Sequence, residues 1–224
     1  MKIDIITLFP DMFEPVLGTS IVGRARERGL LDLRLINPRD FTTDKHRTVD
    51  DRPFGGGPGM VLKAAPLYAA IESARQPASR VVCLSPQGRR FDAAAARRLS
   101  HEKHLILICG HYEGIDERVL RHCDEEISIG DFVLTGGELA AMMVTDAVTR
   151  LLPGVLKKPE ATARESFEGG LLEHPQYTRP RVWKGRHVPK VLLGGDHQRI
   201  SQWQSRAAQR ITRKKRPDLQ SIQA

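Results

Sequence analysis

The chain lacks the sequence features of disulfide-rich, zinc-finger and membrane proteins. Only three of its 224 residues are cysteines, too few and too scattered for a disulfide framework or a cysteine-based zinc site. No apolar run approaches the roughly 18–20 residues that span a bilayer. At the N-terminus, Asp4 interrupts a short apolar run that has no small-residue cleavage site, which predicts a strand and not a signal peptide. These absences favour a protein of the reducing cytoplasm with no membrane partner.

Acidic residues are nearly missing from one end of the chain. The net charge is +8, and residues 178–216 contain twelve Lys and Arg but only one acid, Asp196. Positive charge concentrated in this way is expected of a nucleic-acid-binding surface, because Lys and Arg neutralise phosphates. A solvated basic tail would have the same composition, so charge alone leaves both interpretations open.

Short apolar runs alternate with helical patterns over the first 156 residues. The predicted strands are Lys2–Phe9, Leu31–Leu35, Arg80–Leu84, Leu105–Cys109 and Ile127–Ile129. The predicted helices are 12–28, 66–75, 93–99 and 137–152. One of the strands, 105–109, is apolar throughout, which is typical of a strand buried on both faces of a sheet. The alternation predicts an α/β fold with a parallel sheet.

The pattern changes after residue 156. Residues 157–177 are rich in Glu, Gly, Pro and Thr and show no sustained period, which predicts a linker or mobile loop. Residues 178–224 predict a small, basic, all-α domain, because apolar residues recur there at helical spacing between arginines. The members of this apolar stripe are Ile200, Trp203, Ala207 and Ile211.

Three glycine-bearing segments follow predicted strands and indicate a ligand site. They are Leu84–Gly88, Cys109–Gly114 and Ile129–Glu138. In open α/β sheets, ligands bind beyond the carboxyl ends of the strands, and glycine lets a ligand approach the backbone. Backbone donors and acceptors suit the edge of a purine, and apolar neighbours suit its faces. Each segment alone would be interpreted as a tight strand-to-helix connection, but three in one sheet favour a binding site.

The motifs of other nucleotide-binding folds are missing from the chain. No G-x-G-x-x-G follows a strand, and no G-x-x-x-x-G-K-[ST] occurs, which disfavours a dehydrogenase or a nucleotide hydrolase. The glycine-dense stretch Gly55–Gly59 has no Lys-Ser/Thr after it, and its composition favours a flexible cover loop. The pair His101 and His104 lacks a third ligand, so no metal site is predicted.

Five motifs in one order resemble those of the tRNA (guanine-N1)-methyltransferase family, and the similarity covers essentially the whole chain. The motifs are 46–60 (HRTVDDRPFGGGPGM), 84–89 (LSPQGR), 110–118 (GHYEGIDER), 128–138 (SIGDFVLTGGE) and 177–180 (YTRP). The resemblance implies a SPOUT-class α/β fold, a parallel sheet with a deep trefoil knot in the C-terminal part of the α/β domain. It also implies a homodimer with active sites at the subunit interface. The implied activity is transfer of a methyl group from S-adenosylmethionine to N1 of the guanosine immediately 3′ of the tRNA anticodon.

The resemblance places the S-adenosylmethionine pocket on the same three segments. The residues carried over as its lining are Leu84, Ser85, Gly88, Gly110, Ile129, Gly130, Asp131, Phe132, Val133 and Leu134. Glu113 and Asp116 are candidates to pair with the ammonium group of this methyl donor, or to bond within their own turn. Many relatives have a Tyr where this chain has Cys83, which removes one possible contact but not a site built from backbone. Cys109 is interpreted as a buried strand-end cysteine and not as a nucleophile.

The implied chemistry requires a base and a cation. Guanine N1 carries a proton, so its deprotonation must accompany attack on the methyl group, and negative charge then develops towards O6. The family's general base is an Asp before Ser-Phe, and this chain has Glu165 there, a carboxylate on a stem one methylene longer. Arg150 matches the family's catalytic arginine. Without the resemblance, Glu165 would be a solvated linker acid and Arg150 a cation at a helix C-terminus.

The tRNA contacts are expected in two parts of the chain. His46 and Asp50 belong to the long glycine-bearing loop and are expected to contact tRNA or its target base. Arg206, Arg210 and Arg213 project from the predicted C-terminal helix and are expected to contact phosphates. An alternative function is a non-catalytic RNA-binding protein that retains the cofactor pocket, an interpretation that the change from Asp to Glu165 supports.

Overall fold

The computed structural model of the chain describes residues 1–158 and 165–219. The contacts divide the chain into two compact units, Met1–Lys157 and Lys158–Ala224. Within the described ranges, no helix is long and apolar enough to cross a membrane.

The first unit alternates strands and helices along the chain. Its strands are β1 (Lys2–Ile6), β2 (Asp32–Ile36), β3 (Asp50–Asp51), β4 (Val61–Leu62), β5 (Ser79–Arg90), β6 (His104–Cys109) and β7 (Glu125–Ser128). Its helices are α1 (Glu14–Leu17), α2 (Ser20–Glu27), α3 (Ala64–Ala74), α4 (Ala93–Ser100), α5 (Glu117–Leu120) and α6 (Glu138–Thr149). Five strands form one sheet in the order β2-β1-β6-β5-β7, and all neighbours are parallel. The prediction of an α/β fold with a parallel sheet is confirmed.

The central strand β6 explains why this sheet carries helices on both faces. All six of its residues are buried. Leu105 and Leu107 pack into one apolar cluster with α1, α2, α4 and α6, whereas Ile106 and Ile108 pack into a second cluster with α3. Because successive side chains of a strand point to opposite faces, a continuous apolar run fills both layers. Each such side chain contributes about 1.5–3 kcal/mol of burial.

The predicted continuous helix of residues 12–28 is wrong. A 3-10 turn at Pro10–Met12 is followed by two separate helices, α1 and α2. The break lies at Gly18 and at Thr19, which is extended with φ −118° and ψ 168°. A Cβ added to Gly23 of α2 would lie 2.6 Å from the carbonyl carbon of Gly18. The helices therefore approach each other more closely than a larger residue would permit, a tertiary contact that the helical period does not contain.

A buried charge, Asp4 of β1, is satisfied by a network that spans four strands, β1, β2, β5 and β6. Its carboxylate accepts two hydrogen bonds from the Arg34 guanidinium, at 3.0 and 2.8 Å, and lies 3.3 Å from the Lys2 ammonium. It also lies 3.0 Å from Nε2 of His104, whose Nδ1 is 2.7 Å from the Ser79 hydroxyl. Burial alone would raise the pKa of Asp4, but Arg34 and then Lys2 hold it below its ordinary value.

His104 fits this network as a neutral ring. Nε2–H can donate to Asp4 while Nδ1 accepts from the Ser79 hydroxyl, whose oxygen in turn accepts from the backbone N–H of Gln76 at 2.7 Å. Burial lowers the pKa of His104 below its ordinary 6.5, although the charge of Asp4 opposes this effect. The network holds the N-terminal ends of β1, β5 and β6 together, away from the carboxyl ends where a ligand is expected.

The second unit is built around one long helix, α7 (His197–Lys215). Asp196 begins this helix by accepting a hydrogen bond from the backbone N–H of Arg199 at 3.0 Å. The predicted apolar stripe faces inwards, and Trp203 lies near the rings of His174 and Tyr177. The unit also contains a short antiparallel hairpin, β8 (Val182–Trp183) and β9 (Arg186–His187), so it is not helical throughout. Residues 159–164 of the predicted linker and residues 220–224 lie outside the described part.

We predict that stability falls as the pH is lowered from 7 to 5 and that His104 carries part of this dependence. The unfolded chain binds a proton at His104 near pH 6.5, whereas the folded chain binds it only at lower pH. The stabilisation is therefore present above the unfolded pKa and is lost as the pH falls, by at most about 1.4 kcal/mol per pH unit.

Chemical denaturation at several pH values checks this prediction. The variant His104→Gln should show a shallower loss of stability between pH 7 and 5. His101→Gln is a matched control, because His101 is exposed beside α4, and it should keep the wild-type slope. Equal slopes for His104→Gln and wild type would contradict the assignment.

Candidate functional site

A cleft of about 380 Å³ lies beyond the carboxyl ends of β5, β6 and β7. Its walls come from the three segments that follow these strands, at residues 83–87, 110–120 and 126–140. The volume falls within the range of small-molecule sites, and this edge of a parallel sheet is where such sites form. The order of the strands in the sheet brings these three segments together, and the cleft lies between them.

The first wall arises from an irregularity in β5. Leu84 and Arg89 both lie opposite Ile127 of β7, so the residues between them loop out of the ladder. Gly88 closes this loop against β7, and a Cβ there would lie 2.5 Å from the backbone carbon of Glu126. Gly88 therefore contributes by permitting close packing and does not line the cleft. β5 resumes at Arg89, beyond the predicted end of the strand at Leu84.

The second wall, formed by residues 110–120, and the third wall, formed by residues 126–140, are joined through their backbones. The N–H of Gly137 donates to the carbonyl of Gly110 at 2.8 Å, and His111 and Gly136 form an isolated antiparallel bridge. A Cβ on Gly137 would lie 2.7 Å from Cα of Cys109. Because Gly137 directly precedes α6, this contact fixes where the helix begins against the end of β6.

A group of polar and aromatic side chains surrounds this junction. The ring of His111 lies 5.0 Å from that of Phe9 and 4.8 Å from that of Tyr112. Its Nδ1 is buried and has no hydrogen-bond partner among the described residues. Nearby, the buried Glu138 accepts a hydrogen bond from the Thr7 hydroxyl at 2.9 Å. The junction thus combines a buried carboxylate with an imidazole nitrogen that has no hydrogen-bond partner in the described part of the chain.

The two acids Asp116 and Glu113 on the second wall differ in whether their carboxylates are hydrogen-bonded within their own turn. Asp116 caps α5 and accepts two hydrogen bonds from the Arg118 guanidinium, which lower the pKa of Asp116 to about 2. Asp116 thus bonds within its own turn. Glu113 is exposed and lines the cleft, and a Cβ on Gly59 would overlap its side chain. Of these two acids, Glu113 is the one positioned to meet a bound cation.

Cys109 ends β6 beneath the cleft. Burial raises the pKa of this thiol well above its ordinary value, and the nearby charge of Glu138 adds to the effect. The residue is therefore a thiol and not a thiolate at neutral pH, which makes it a poor nucleophile. Among residues 1–158 and 165–219, no group of three or more His, Cys, Asp or Glu side chains could hold a metal ion.

The long glycine-bearing loop is attached to the second wall. The N–H of Glu113 donates to the carbonyl of Met60, and Leu62 exchanges backbone hydrogen bonds with Gly114 and Asp116. Within this loop, Gly55, Gly56 and Gly57 have nothing within 4 Å of their Cβ positions, whereas a Cβ on Gly59 would meet Glu113. The C-terminal end of the loop, at Met60 and Leu62, is therefore fixed to the second wall. The glycines Gly55–Gly57 precede this point of attachment.

The structure brings most of the predicted pocket residues together. The predicted residues that line the cleft are Leu84, Ser85, Gly110, Glu113, Ile129, Gly130, Phe132, Val133 and Leu134. Gly88 and Asp131 are not among the lining residues. Lining residues that sequence reasoning did not name include His111, Tyr112, Glu126 and Gly137. Three of these four fall within the quoted motifs, so the motif boundaries would have signalled them.

The remaining predicted site residues are not among those that line the cleft. Arg150 is the half-buried residue that ends α6, and Glu165 is a half-buried residue of the second unit. His46 is exposed in a turn where Asp44 accepts a hydrogen bond from its backbone N–H, and Asp50 belongs to β3. Three of the arginines of α7, those expected to contact phosphates, are exposed, and their spacing places them along one side of the helix. They are Arg206, Arg210 and Arg213.

Residues 1–222 match the model of the family described as tRNA (Guanine-1)-methyltransferase TrmD. A Moorella thermoacetica protein named tRNA (guanine-N(1)-)-methyltransferase is 55% identical over 227 residues, which cover 98% of this chain and 90% of that protein. Proteins of the same name from Geobacter sulfurreducens and Dictyoglomus turgidum are 57% and 52% identical, over 98% of this chain and 91% and 89% of their own lengths. The chain belongs to the tRNA (guanine-N1)-methyltransferase family.

We predict that Gly137→Ala destabilises the first unit by roughly 1–3 kcal/mol, the usual cost of overpacking. The added methyl group would overlap the backbone of Cys109. Thermal unfolding checks the effect. Gly110→Ala is the matched control, since its Cβ would lie no closer than 3.6 Å to another atom. Equal melting temperatures for the two variants would contradict the close packing of Gly137.

Proposed function

We propose that this enzyme transfers a methyl group from S-adenosylmethionine to N1 of the guanosine immediately 3′ of the tRNA anticodon. Membership of the family supports methylation of guanine N1 in tRNA. The observation that carries the choice of methyl donor is the cleft at the ends of β5, β6 and β7, which three backbone segments enclose. The proposal assigns this cleft to the donor and the basic second unit to tRNA.

The lining of the cleft fits an adenosine-bearing ligand. Leu84, Ile129 and Leu134 offer apolar surface to the faces of a purine, and the turns between them offer backbone groups to its edge. Gly110 leaves room for close approach, because nothing lies nearer than 3.6 Å to its Cβ position. Glu113 is exposed on the same wall and would pair with the ammonium group of the donor. Bound S-adenosylmethionine supplies an electrophilic methyl group on its sulfonium.

The side chains must activate the guanine. Glu165 is assigned as the base that accepts the N1 proton, which makes N1 nucleophilic towards the methyl group. Arg150 is assigned to O6, where negative charge develops as the proton leaves. A positioned proton acceptor typically contributes about 10²–10⁴-fold to a rate. Glu165 in place of the family's Asp keeps the carboxylate and lengthens its reach by one methylene.

We assign the first unit to the SPOUT class with a trefoil knot. Two contacts support this topology: the loop at Gly88 packs across β7, and the start of α6 is held against Gly110 at the end of β6. The segment between β7 and α6 thus returns beside the end of β6, a strand that precedes it in the chain. We retain the domain bounds 1–156, 157–177 and 178–224 and place the enzyme in the cytoplasm with its tRNA substrate.

A homodimer is proposed from an exposed apolar surface. Leu139 and Met143 lie one turn apart on α6 and are 51% and 52% exposed. Met12 and Val16 are exposed on the neighbouring 3-10 turn and on α1, which packs against α6. Exposed apolar groups on adjacent elements are typical of protein interfaces. The surface adjoins the cleft through α6, which supports active sites at the subunit interface.

A second candidate function is RNA binding without catalysis, and Glu165 in place of Asp favours it. Such a protein would keep the cleft and the basic unit. S-adenosylmethionine would raise its melting temperature, yet no methyl group would reach tRNA.

We predict a stop in reverse transcription beside the guanosine 3′ of the anticodon after tRNA is incubated with the protein and S-adenosylmethionine. A methyl group on N1 blocks base pairing, so primer extension reports the position directly. The stop should be absent when the donor is omitted. A stop at another base would contradict the assigned position, and full-length product would favour the non-catalytic alternative.

The variants Glu165→Gln and Arg150→Ala should each lose about 10²–10⁴-fold in single-turnover methyl transfer while donor binding largely survives. Glutamine keeps the shape of Glu165 without its basicity. Calorimetry with S-adenosylhomocysteine provides the binding control. Transfer rates near wild type would exclude these roles.

Neutralising Arg206, Arg210 and Arg213 together to Ala should weaken tRNA binding and flatten its dependence on salt. Each lost phosphate contact should reduce the slope of log K against log salt by about one. A triple variant of the exposed residues Arg24, Arg97 and Lys103 removes the same charge from the first unit and is the control. An unchanged slope in the α7 variant would place the phosphate-binding surface elsewhere.

A further inference from the structure

The hairpin of β8 and β9 has features that the proposed function leaves unexplained. Its strands pair Val182 with His187 and Trp183 with Arg186, and the N–H of Val188 donates to the carbonyl of Arg181 at 3.0 Å. Two residues connect the strands, Lys184 with φ 48° and Gly185 with φ 73°. Left-handed geometry at both positions defines the tight turn whose twist matches a hairpin. The hairpin therefore holds its side chains in fixed directions.

Trp183 is presented outwards at the tip of this hairpin. It is 60% exposed, the largest exposure of any Phe, Tyr or Trp in the described part of the second unit. Nζ of Lys184 lies 4.9 Å from the centre of its ring. The ammonium group contacts one side of the ring, and most of the ring surface remains available.

The charges around Trp183 define the chemistry of its partner. Residues 178–195 contain five Lys and Arg and no acid. The basic residues are Arg179, Arg181, Lys184, Arg186 and Lys190, all exposed. Residues of one strand that are two apart share a face, as cross-strand partners do, so Arg181 and Arg186 share the face of Trp183. A flat aromatic ring flanked by guanidinium groups is the arrangement that binds single-stranded nucleic acid.

We propose that Trp183 stacks on an unpaired base of the tRNA while the neighbouring basic residues bind the phosphates on either side. Bases within a duplex are already stacked and present only their edges and their backbone, so a protruding ring has no base face to contact there. The loops of tRNA provide unpaired bases with both faces exposed. This inference rests on the proposed function, because it takes tRNA as the substrate, and it adds a base contact to a surface otherwise assigned to phosphates.

Trp183→Ala should weaken the binding of unmodified tRNA about 5- to 160-fold, the range typical for loss of one stacked base. Trp183→Phe should recover most of the affinity, because phenylalanine also stacks. Val182→Ala is the matched control, since Val182 is 47% exposed in the same strand but lies on the opposite face. It should bind within about twofold of wild type, because it loses no stacked base. Equal effects of Trp183→Ala and Val182→Ala would overturn the proposal.

Fluorescence tests the stacking without relying on affinity. The chain has two tryptophans, so Trp183→Phe leaves Trp203 as the only one. Adding an isolated anticodon stem-loop should quench the emission of wild type much more than that of Trp183→Phe. A fully paired RNA hairpin of the same length should not produce this difference. Quenching by the duplex alone, or a change in Trp183 emission on dilution without RNA, would overturn the proposal in favour of backbone contact or self-association.

Steady-state kinetics separates this proposal from the proposed function. In Trp183→Ala, the KM for tRNA should rise while kcat at saturating tRNA stays near wild type. If wild type transfers no methyl group, the proposed function fails. If wild type transfers it and Trp183→Ala does so with an unchanged KM, only the stacking role fails.

Discussion

The close approach of Gly137 to the end of β6 is the constraint on which the cleft depends. A single backbone hydrogen bond, from the N–H of Gly137 to the carbonyl of Gly110, joins the start of α6 to the end of the central strand. No side chain larger than hydrogen fits between Gly137 and Cys109. With this contact in place, the segment from Ile129 to Gly136 must fold back over the sheet. The same contact closes the cleft on its third side.

The other glycines of the site act in different ways. Gly88 allows the looped segment of β5 to pack against β7, so it shapes the first wall from behind. Gly110 has free space at its Cβ position and faces the cleft. Glycine in these turns thus has two separate uses, close packing of the chain on itself and access for a ligand. A motif shows that glycine is present, and only the structure distinguishes the two uses.

The sequence predicts the sheet well because the sheet depends on local patterns. The apolar run Leu105–Cys109 predicted a strand buried on both faces, and it forms the centre of the parallel sheet. The helix predicted at 12–28 is broken instead, because Gly18 and Gly23 pack against each other. Tertiary contacts of this kind leave no periodic signal. The hairpin at Trp183 was missed for another reason, since two-residue strands are too short to show alternation.

The two units present different kinds of surface, mostly neutral in the cleft of the first unit and positively charged on the second. Backbone and apolar groups line most of the cleft, whereas the described surface of α7 carries cations. The central claim is that the cleft binds the methyl donor, and calorimetry with S-adenosylhomocysteine tests it most directly, because this product is stable and needs no tRNA. We expect S-adenosylhomocysteine to bind saturably and S-adenosylmethionine to displace it. Gly110→Ala should weaken this binding while its melting temperature stays at the wild-type value. Absence of binding heat for both compounds in the folded protein would contradict the account.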